Sequence, residues 1–246
     1  MRKVGAVLAN DLNPHSYRCL IENYTLNNRS KTKSKEIEYK KSLIRNSTKI
    51  PEPLIKTEEF KFNPTNSFTG FNLDGNDFIR KKLKYHLVEI LNYRLFNKIE
   101  LELGKFYVLM NLPAMSVEFL GSFKNLYDAK ETLLIKQAFD ENFLKKFRLN
   151  IYCYHFAKTD DDDLNNIKQR IIKDIFNDET ISIDSKFVRK VAPNKDMFCS
   201  MFQLKFSNFF EKNEIQDNSS NGEKKKLDEL DDNSTDESAK KILKTD

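Results

Sequence analysis

Three polar residues each stand directly after a short apolar run, a spacing that suits chemistry on a nucleotide. Asp11 follows VGAVLAN, Asp74 ends the run that begins at Ser67, and Asn111 follows FYVLM. A carboxylate accepts hydrogen bonds at both oxygens and so matches the paired hydroxyls of a ribose. A carboxylate or amide after a further strand can meet the exocyclic amine of a purine. Asp is also a good helix cap, and for any one of these positions capping is an equal alternative. Three in succession favour a ligand. A glycine cradle does not accompany them: there are 6 glycines and no G-x-G-x-x-G.

Strands and helices must carry these residues to one place. Val4–Asn10 and Phe106–Met110 read as buried parallel strands, and Ser67–Leu73 and Leu149–Phe156 as two more. Between them, helical spacing runs from Pro14 to Asn27, over Phe78–Phe96, over Val117–Leu126, over Lys136–Phe147 and over Asp160–Phe176. Ile181–Val191 and Met197–Phe206 read as a terminal hairpin around Ala192–Lys195. The order β-α-β-α-β-α-β-α-β-β predicts a Rossmann-like α/β fold with a mostly parallel sheet and an antiparallel C-terminal hairpin. In such a sheet, ligands bind beyond the carboxyl ends of the strands, where Asp11, Asp74 and Asn111 would converge. The strand ending at Asp11 corresponds to the second strand of that fold, so the first strand and its glycine loop are expected to be missing from this chain.

Composition sets the limits. Net charge is +5; the 36 residues from Glu211 hold 7 Lys against 11 Asp/Glu, a sum of −4, which leaves +9 on residues 1–210. Arg29–Lys61 supplies 10 Lys/Arg against 5 Asp/Glu, with little apolar period, and reads as a mobile basic insertion. Residues 211–246 read as a disordered charged tail, and 1–210 as one partial α/β domain. Such a basic body suits a phosphate-rich partner, although solubilising surface charge is an equal reading. Cys19, Cys153 and Cys199 lack metal spacing and read as reduced thiols, mostly buried. No apolar run nears the roughly 20 residues of a membrane span, so no membrane partner is expected.

Five segments carry a resemblance. ANDLNPHSYRCLIENYTLNN (Ala9–Asn28), FNLDGNDFIR (Phe71–Arg80), YVLMNLPAMSVEFLGSF (Tyr107–Phe123), IYCYHFAK (Ile151–Lys158) and VRKVAPNKDMFCSMFQL (Val188–Leu204) stand in this order. Together they resemble the eukaryotic tRNA (guanine(37)-N(1))-methyltransferases, in their C-terminal catalytic part. The resemblance implies a class I methyltransferase fold, S-adenosyl-L-methionine as methyl donor and tRNA as partner. It implies a monomer in cytoplasm, nucleus or mitochondrial matrix. By position in the motifs, Asp11 and Leu12 resemble the ribose-side contacts of the cofactor, and Asp74 and Gly75 the adenine-side contacts. Asn111, with Pro113, resembles the loop at the reacting centre and also touches the cofactor.

Guanine N1 carries a proton at neutral pH, so methyl transfer to it calls for a general base and a donor facing O6. The resemblance places both upstream of the cofactor loop, outside this chain. His15, His86 and His155 do not read as substitutes; His155 lies in a strand pattern that suits packing. Lys158, Arg189, Lys190 and Lys195 fall near strand ends or the hairpin and are candidates for tRNA phosphate, with plain surface charge an equal reading. Two other functions fit parts of the pattern. One is a methyltransferase remnant that binds RNA or protein without catalysis. The other is a nicotinamide-dependent oxidoreductase, which the M-N-L-P-A segment and the two final strands disfavour.

Overall fold

The computed structural model describes residues 6–28, 51–56, 68–97, 106–158 and 161–210. The expected elements at Val4–Gly5, the basic stretches 29–50 and 57–67, and the tail 211–246 lie outside the described residues. Strand β1 (Val7–Asn10) leads into helix α1 (Pro14–Asn28), then β2 (Phe68–Phe71). Helix α2 (Gly75–Phe78) runs through a π-helical turn, Ile79–Leu83, into α3 (Lys84–Phe96), and β3 (Phe106–Met110) follows. Helix α4 (Ser116–Phe119) tightens into a 3₁₀ turn at Leu120–Phe123, then come α5 (Ala129–Ala138), α6 (Glu141–Lys146) and β4 (Leu149–Ala157). Helix α7 (Asp161–Gln169) continues as a π-helical stretch over Arg170–Ile175 before the hairpin of β5 (Asp184–Ala192) and β6 (Lys195–Leu204).

The alternation is α/β, as expected, but the sheet is not one mostly parallel sheet. Among the described residues β1 pairs with β2 alone, and the other strands form a separate sheet in the order β3-β4-β6-β5. The pairs β1–β2 and β3–β4 are parallel, whereas β4–β6 and β5–β6 are antiparallel. The hairpin accounts for the difference. Its turn at Pro193-Asn194, with Asn194 in the left-handed region (φ 57°), is too short for anything but antiparallel strands. Strand β6 then inserts beside β4 and contributes two antiparallel contacts.

Two further expectations change. The helix read over Lys136–Phe147 is two helices, broken at Phe139-Asp140. Asp128 caps the first through a reciprocal box with Glu131, and Asp140 caps the second by accepting from Phe143 N. Pro51–Lys56, read as part of the mobile insertion, docks on α3. Ile55 is buried, its N–H donates to Glu89 (3.1 Å), and Asn92 donates to the Glu52 carbonyl (3.0 Å). Burial raises the pKa of the Glu89 carboxyl, which the Ile55 N–H opposes.

The core lies against one face of the larger sheet. Strand β4 alternates strictly, burying Leu149, Ile151, Cys153, His155 and Ala157, and Met110, Phe202 and Leu204 share that face through the strand register. Phe176 meets Phe202 edge-on, and Phe206 and Phe209 close over Tyr127 and Phe147. On the other face Tyr107 and Leu109 of β3 are 57% and 68% exposed.

Candidate functional site at the strand ends

The ends of β1 and β2 are tied by two asparagines that pattern reading did not single out. Asn10 uses its whole amide on one residue: its Nδ2 donates to the Leu73 carbonyl (2.9 Å) and its Oδ1 accepts from Leu73 N (3.0 Å). Asn72 reaches the opposite way, donating to the carbonyls of Asp11 (2.6 Å) and Leu12 (2.9 Å). Asp11 N closes the ladder on the Phe71 carbonyl (3.2 Å). This reciprocal clamp brings Asp11-Leu12 and Leu73-Asp74 together at the carboxyl ends of two parallel strands. No sequence signal marks it, because each partner lies about sixty residues from the other.

Both carboxylates also cap. Asp11 Oδ1 accepts from Asn13 N and Asp74 Oδ1 accepts from Asn76 N, each at 2.9 Å. Each therefore has one oxygen fixed by its own turn and the other, Oδ2, free of protein hydrogen bonds among the described residues. The capping and ligand readings do not compete; the cap sets the orientation of the open oxygen. Gly75 has a packing reason for its identity: a Cβ there would lie 2.8 Å from the Phe119 ring. That contact joins the β2 end to the helix after β3. Ser122 Oγ adds a bond to Asn76 Oδ1 (2.6 Å), and Arg80 reaches the carbonyls of Gly121 and Lys124 (3.5 and 3.4 Å).

Asn111, Leu112 and Pro113 form the exposed turn between β3 and α4, with Leu112 49% exposed. No hydrogen bond joins Asn111 to either carboxylate among the described residues; the helices that follow β2 and β3 link this third strand end to the first two. The turn is shaped by Ser116, which is fully buried and which pattern reading missed. Its Oγ lies 2.9 Å from the carbonyls of Met110 and Leu112 and accepts from Leu112 N (3.1 Å). Ser116→Ala is expected to lower stability by about 1–2 kcal/mol by orphaning these groups. It is also expected to loosen the Asn111 turn, measured as faster amide exchange at Asn111 and Leu112.

Among the described residues, the remaining titratable groups do not form a second centre. His155 is 1% exposed in β4, bonded through Nε2 to Ser200 Oγ (2.8 Å), and burial lowers its pKa. Burial lowers His86 to about 4, and His15 is exposed beside Arg18. Cys19, Cys153 and Cys199 are free thiols, and burial pushes Cys153 up to about 12, so it is not a nucleophile. Among the hairpin cations, Lys195 sits 4.2 Å over the Phe156 ring, while Arg189 and Lys190 are exposed on β5. No helix among the described residues is long and apolar enough to cross a membrane.

Fold and site together define an α/β protein that presents two carboxylates and an amide where parallel strands end, the place where nucleotide ligands bind in such folds. The comparisons are specific. A tRNA (guanine(37)-N(1))-methyltransferase of Xenopus tropicalis is 34% identical over 213 residues, covering 86% of this chain and 32% of that protein. Proteins of the same name from Pediculus humanus subsp. corporis and Schizosaccharomyces pombe are each 30% identical, covering 84% and 86% of this chain and 34% and 42% of their own lengths. The chain is therefore homologous to part of the tRNA (guanine(37)-N(1))-methyltransferases, and spans about a third of the length of the first of these relatives. A crystal structure of wild-type Trm5b from Pyrococcus abyssi aligns over 81% of this chain and 37% of that one, at a TM-score of 0.39 and 16% identity. No family model matches the chain.

Proposed function

We propose that this chain is the cofactor-binding, C-terminal catalytic part of an enzyme that moves a methyl group from S-adenosyl-L-methionine to N1 of guanosine 37 in tRNA. The observation that carries the reading is the similarity over 86% of the chain to proteins of that name. The strand-end geometry agrees with it. Asp11 offers an open carboxylate oxygen to the ribose hydroxyls, with Leu12 (64% exposed) as an apolar surface beside it. Asp74 and Gly75 stand on the adenine side, and Asn111 with Pro113 at the methionine side and the reacting centre. When bound, the cofactor supplies an electrophilic sulfonium methyl; what these residues do is orient it and exclude water around it.

The fit covers half of the cofactor. On this reading the described residues would meet the ribose and the adenine; they include no glycine cradle, and no candidate base stands among them at the strand ends. We place the first strand, its glycine loop, the base and the O6 donor in polypeptide that the relatives carry outside the matched stretch. For the substrate, Lys158, Arg189, Lys190 and Lys195 form the side that meets tRNA phosphates. The protein acts as a monomer in cytoplasm, nucleus or mitochondrial matrix.

The test joins this chain to the part of the frog relative that precedes its matched residues. The fusion is expected to methylate guanosine 37. Asp11→Ala in it should weaken S-adenosylmethionine binding by about tenfold or more, the loss of hydrogen bonds to a charged acceptor. Unchanged affinity removes Asp11 from the ribose. Saturable binding of NAD with none of S-adenosylmethionine overturns the reading as a whole.

A further inference from the structure

We infer that the outer half of the β5–β6 hairpin is a docking surface for unpaired RNA, on which the Phe187 ring carries one base and the cations around it hold the flanking phosphates. The inference deepens the function proposed above and rests on it for the identity of the partner; the surface itself rests on the hairpin.

Strand β5 breaks the rule that a strand on a covered sheet hides every second side chain. From Lys186 to Val191 all six residues are exposed, although β6 beside them buries Asp196, Met197, Cys199 and Ser200. The cause lies in the register, which slips between Phe187 and Arg189 and again between Lys190 and Ala192. Such irregularities bend a strand and re-aim its side chains. Three of the residues turned outward are apolar: Phe187 is 58% exposed, Val188 42% and Val191 43%. The Phe187 ring meets that of Phe198 at 5.9 Å and 79°, which fixes its plane while more than half of the residue stays in water. An apolar cluster left exposed and rimmed by charge marks a place of contact.

Charge selects the partner. The stretch Lys186–Lys195 holds four cations, Lys186, Arg189, Lys190 and Lys195, and no acid. The next residue, Asp196, is buried and so does little to neutralise them in solvent. Four like charges around an apolar ring suit a partner that alternates anions with flat apolar groups. Single-stranded nucleic acid does this: its phosphates meet the cations and a base stacks on the ring. A duplex keeps its bases stacked on one another, so the ring selects unpaired ones.

The position fits as well. Strand β3 ends at Met110, opposite Cys153, whereas β4 runs on from Cys153 to Ala157, opposite Asp196. At roughly 3.3 Å per residue, the hairpin overhangs the end of β3 by roughly 13 Å. Phe187 pairs with Phe198 and Phe198 with His155, so the ring stands two residues beyond the β3 end. It flanks the strand-end crevice without entering it. The base it takes is therefore a neighbour of the reacting nucleotide in the same loop.

The experiment titrates the full chain with a synthetic anticodon stem–loop RNA, without S-adenosylmethionine, and reads fluorescence anisotropy. Phe187→Ala is expected to weaken binding by about tenfold or more, the range for losing one stacked base, and Phe187→Tyr to bind as the parent does. Thermal melts check that both variants fold. A blunt duplex of the same stem should bind more weakly and should not distinguish Phe187→Ala from the parent. Abasic nucleotides placed one at a time in the loop should reveal a position whose loss weakens the parent and leaves Phe187→Ala unchanged. Arg189→Gln should weaken both RNAs alike and lower the salt slope by about 1. Equal affinity of Phe187→Ala and the parent, equal losses on duplex and loop, or no RNA binding at all overturns the platform. Binding of poly-glutamate or phosphatidylserine vesicles that is as tight, and as sensitive to Phe187→Ala, overturns the choice of RNA. Methylation by the fusion described above is read separately. If the fusion methylates tRNA with a KM unmoved by Phe187→Ala, the platform falls and the function stands. Loop-selective binding through Phe187 without methylation upholds the platform and counts against the function.

Discussion

Tyr127→Ala is expected to lower the unfolding free energy by about 3–5 kcal/mol, the range for emptying a large aromatic site in a packed core. Tyr127 is fully buried, stacked on Phe206 at 5.7 Å and edge-on to Phe209. Its hydroxyl donates to the Lys84 carbonyl (2.9 Å), where the π-helical turn passes into α3. Lys84 in turn pairs with Glu131 at 2.7 Å, with both side chains nearly buried. The ring thus pins the helix that starts at Asp74-Gly75 to the elements after β3. Urea midpoints should show the loss, and Tyr127→Phe, which removes only the hydroxyl, should cost about 1 kcal/mol. If the alanine variant falls within about 1 kcal/mol of the parent, Tyr127 is not what holds that helix to the elements after β3.

Acid should destabilise the fold well before its carboxylates titrate. His86 has an ordinary value of 6.5 and is drawn to about 4 by burial. Below pH 6.5 the unfolded chain takes up a proton there that the folded chain refuses until about pH 4. Stability from this residue is therefore fully present above 6.5 and is lost as the pH falls toward 4. At about 1.4 kcal/mol per unit, the loss reaches about 3 kcal/mol. His155, lowered by the same cause, pulls in the same direction. Urea unfolding at pH 7, 6, 5 and 4 measures the slope, and His86→Gln should flatten it. A slope unchanged by that substitution would assign the acid sensitivity elsewhere.

The strand ends that carry the candidate site are legible in the sequence, because apolar runs that stop at or near Asp11, Asp74 and Asn111 announce both the strand and its end. Even the caps are readable, since Asp followed by a helix start is a local pattern. What holds the strand ends together is not local. Asn10 meets Leu73 and Asn72 meets Asp11 across about sixty residues, and an asparagine at a strand end carries no mark of its partner. Ser116 is hidden for a similar reason: it is buried and holds the turn through the Met110 carbonyl six positions back, a contact that no local pattern marks. The break at Phe139-Asp140 was available from Asp128-x-x-Glu131 and Asp140, which outweigh the apolar period that suggests one helix. Glu89 under Ile55 and the separation of the sheet into two parts depend on tertiary packing that period and propensity do not encode.

The clamp between β1 and β2 has a consequence for how the chain tolerates change in length. Asn10 and Leu73 are 63 positions apart, and closing that stretch is a problem of polymer entropy. The penalty for closure grows only with the logarithm of length, about 0.6 kcal/mol for each doubling. Once the connection is long, adding or deleting a dozen residues changes that closure penalty little, provided that α1, β2 and the docked Pro51–Lys56 are left intact. Its rate of closure is less forgiving: the β1–β2 pair is a distant contact and should form after the local β5–β6 hairpin, so the strand ends at Asp11 and Asp74 should come together late.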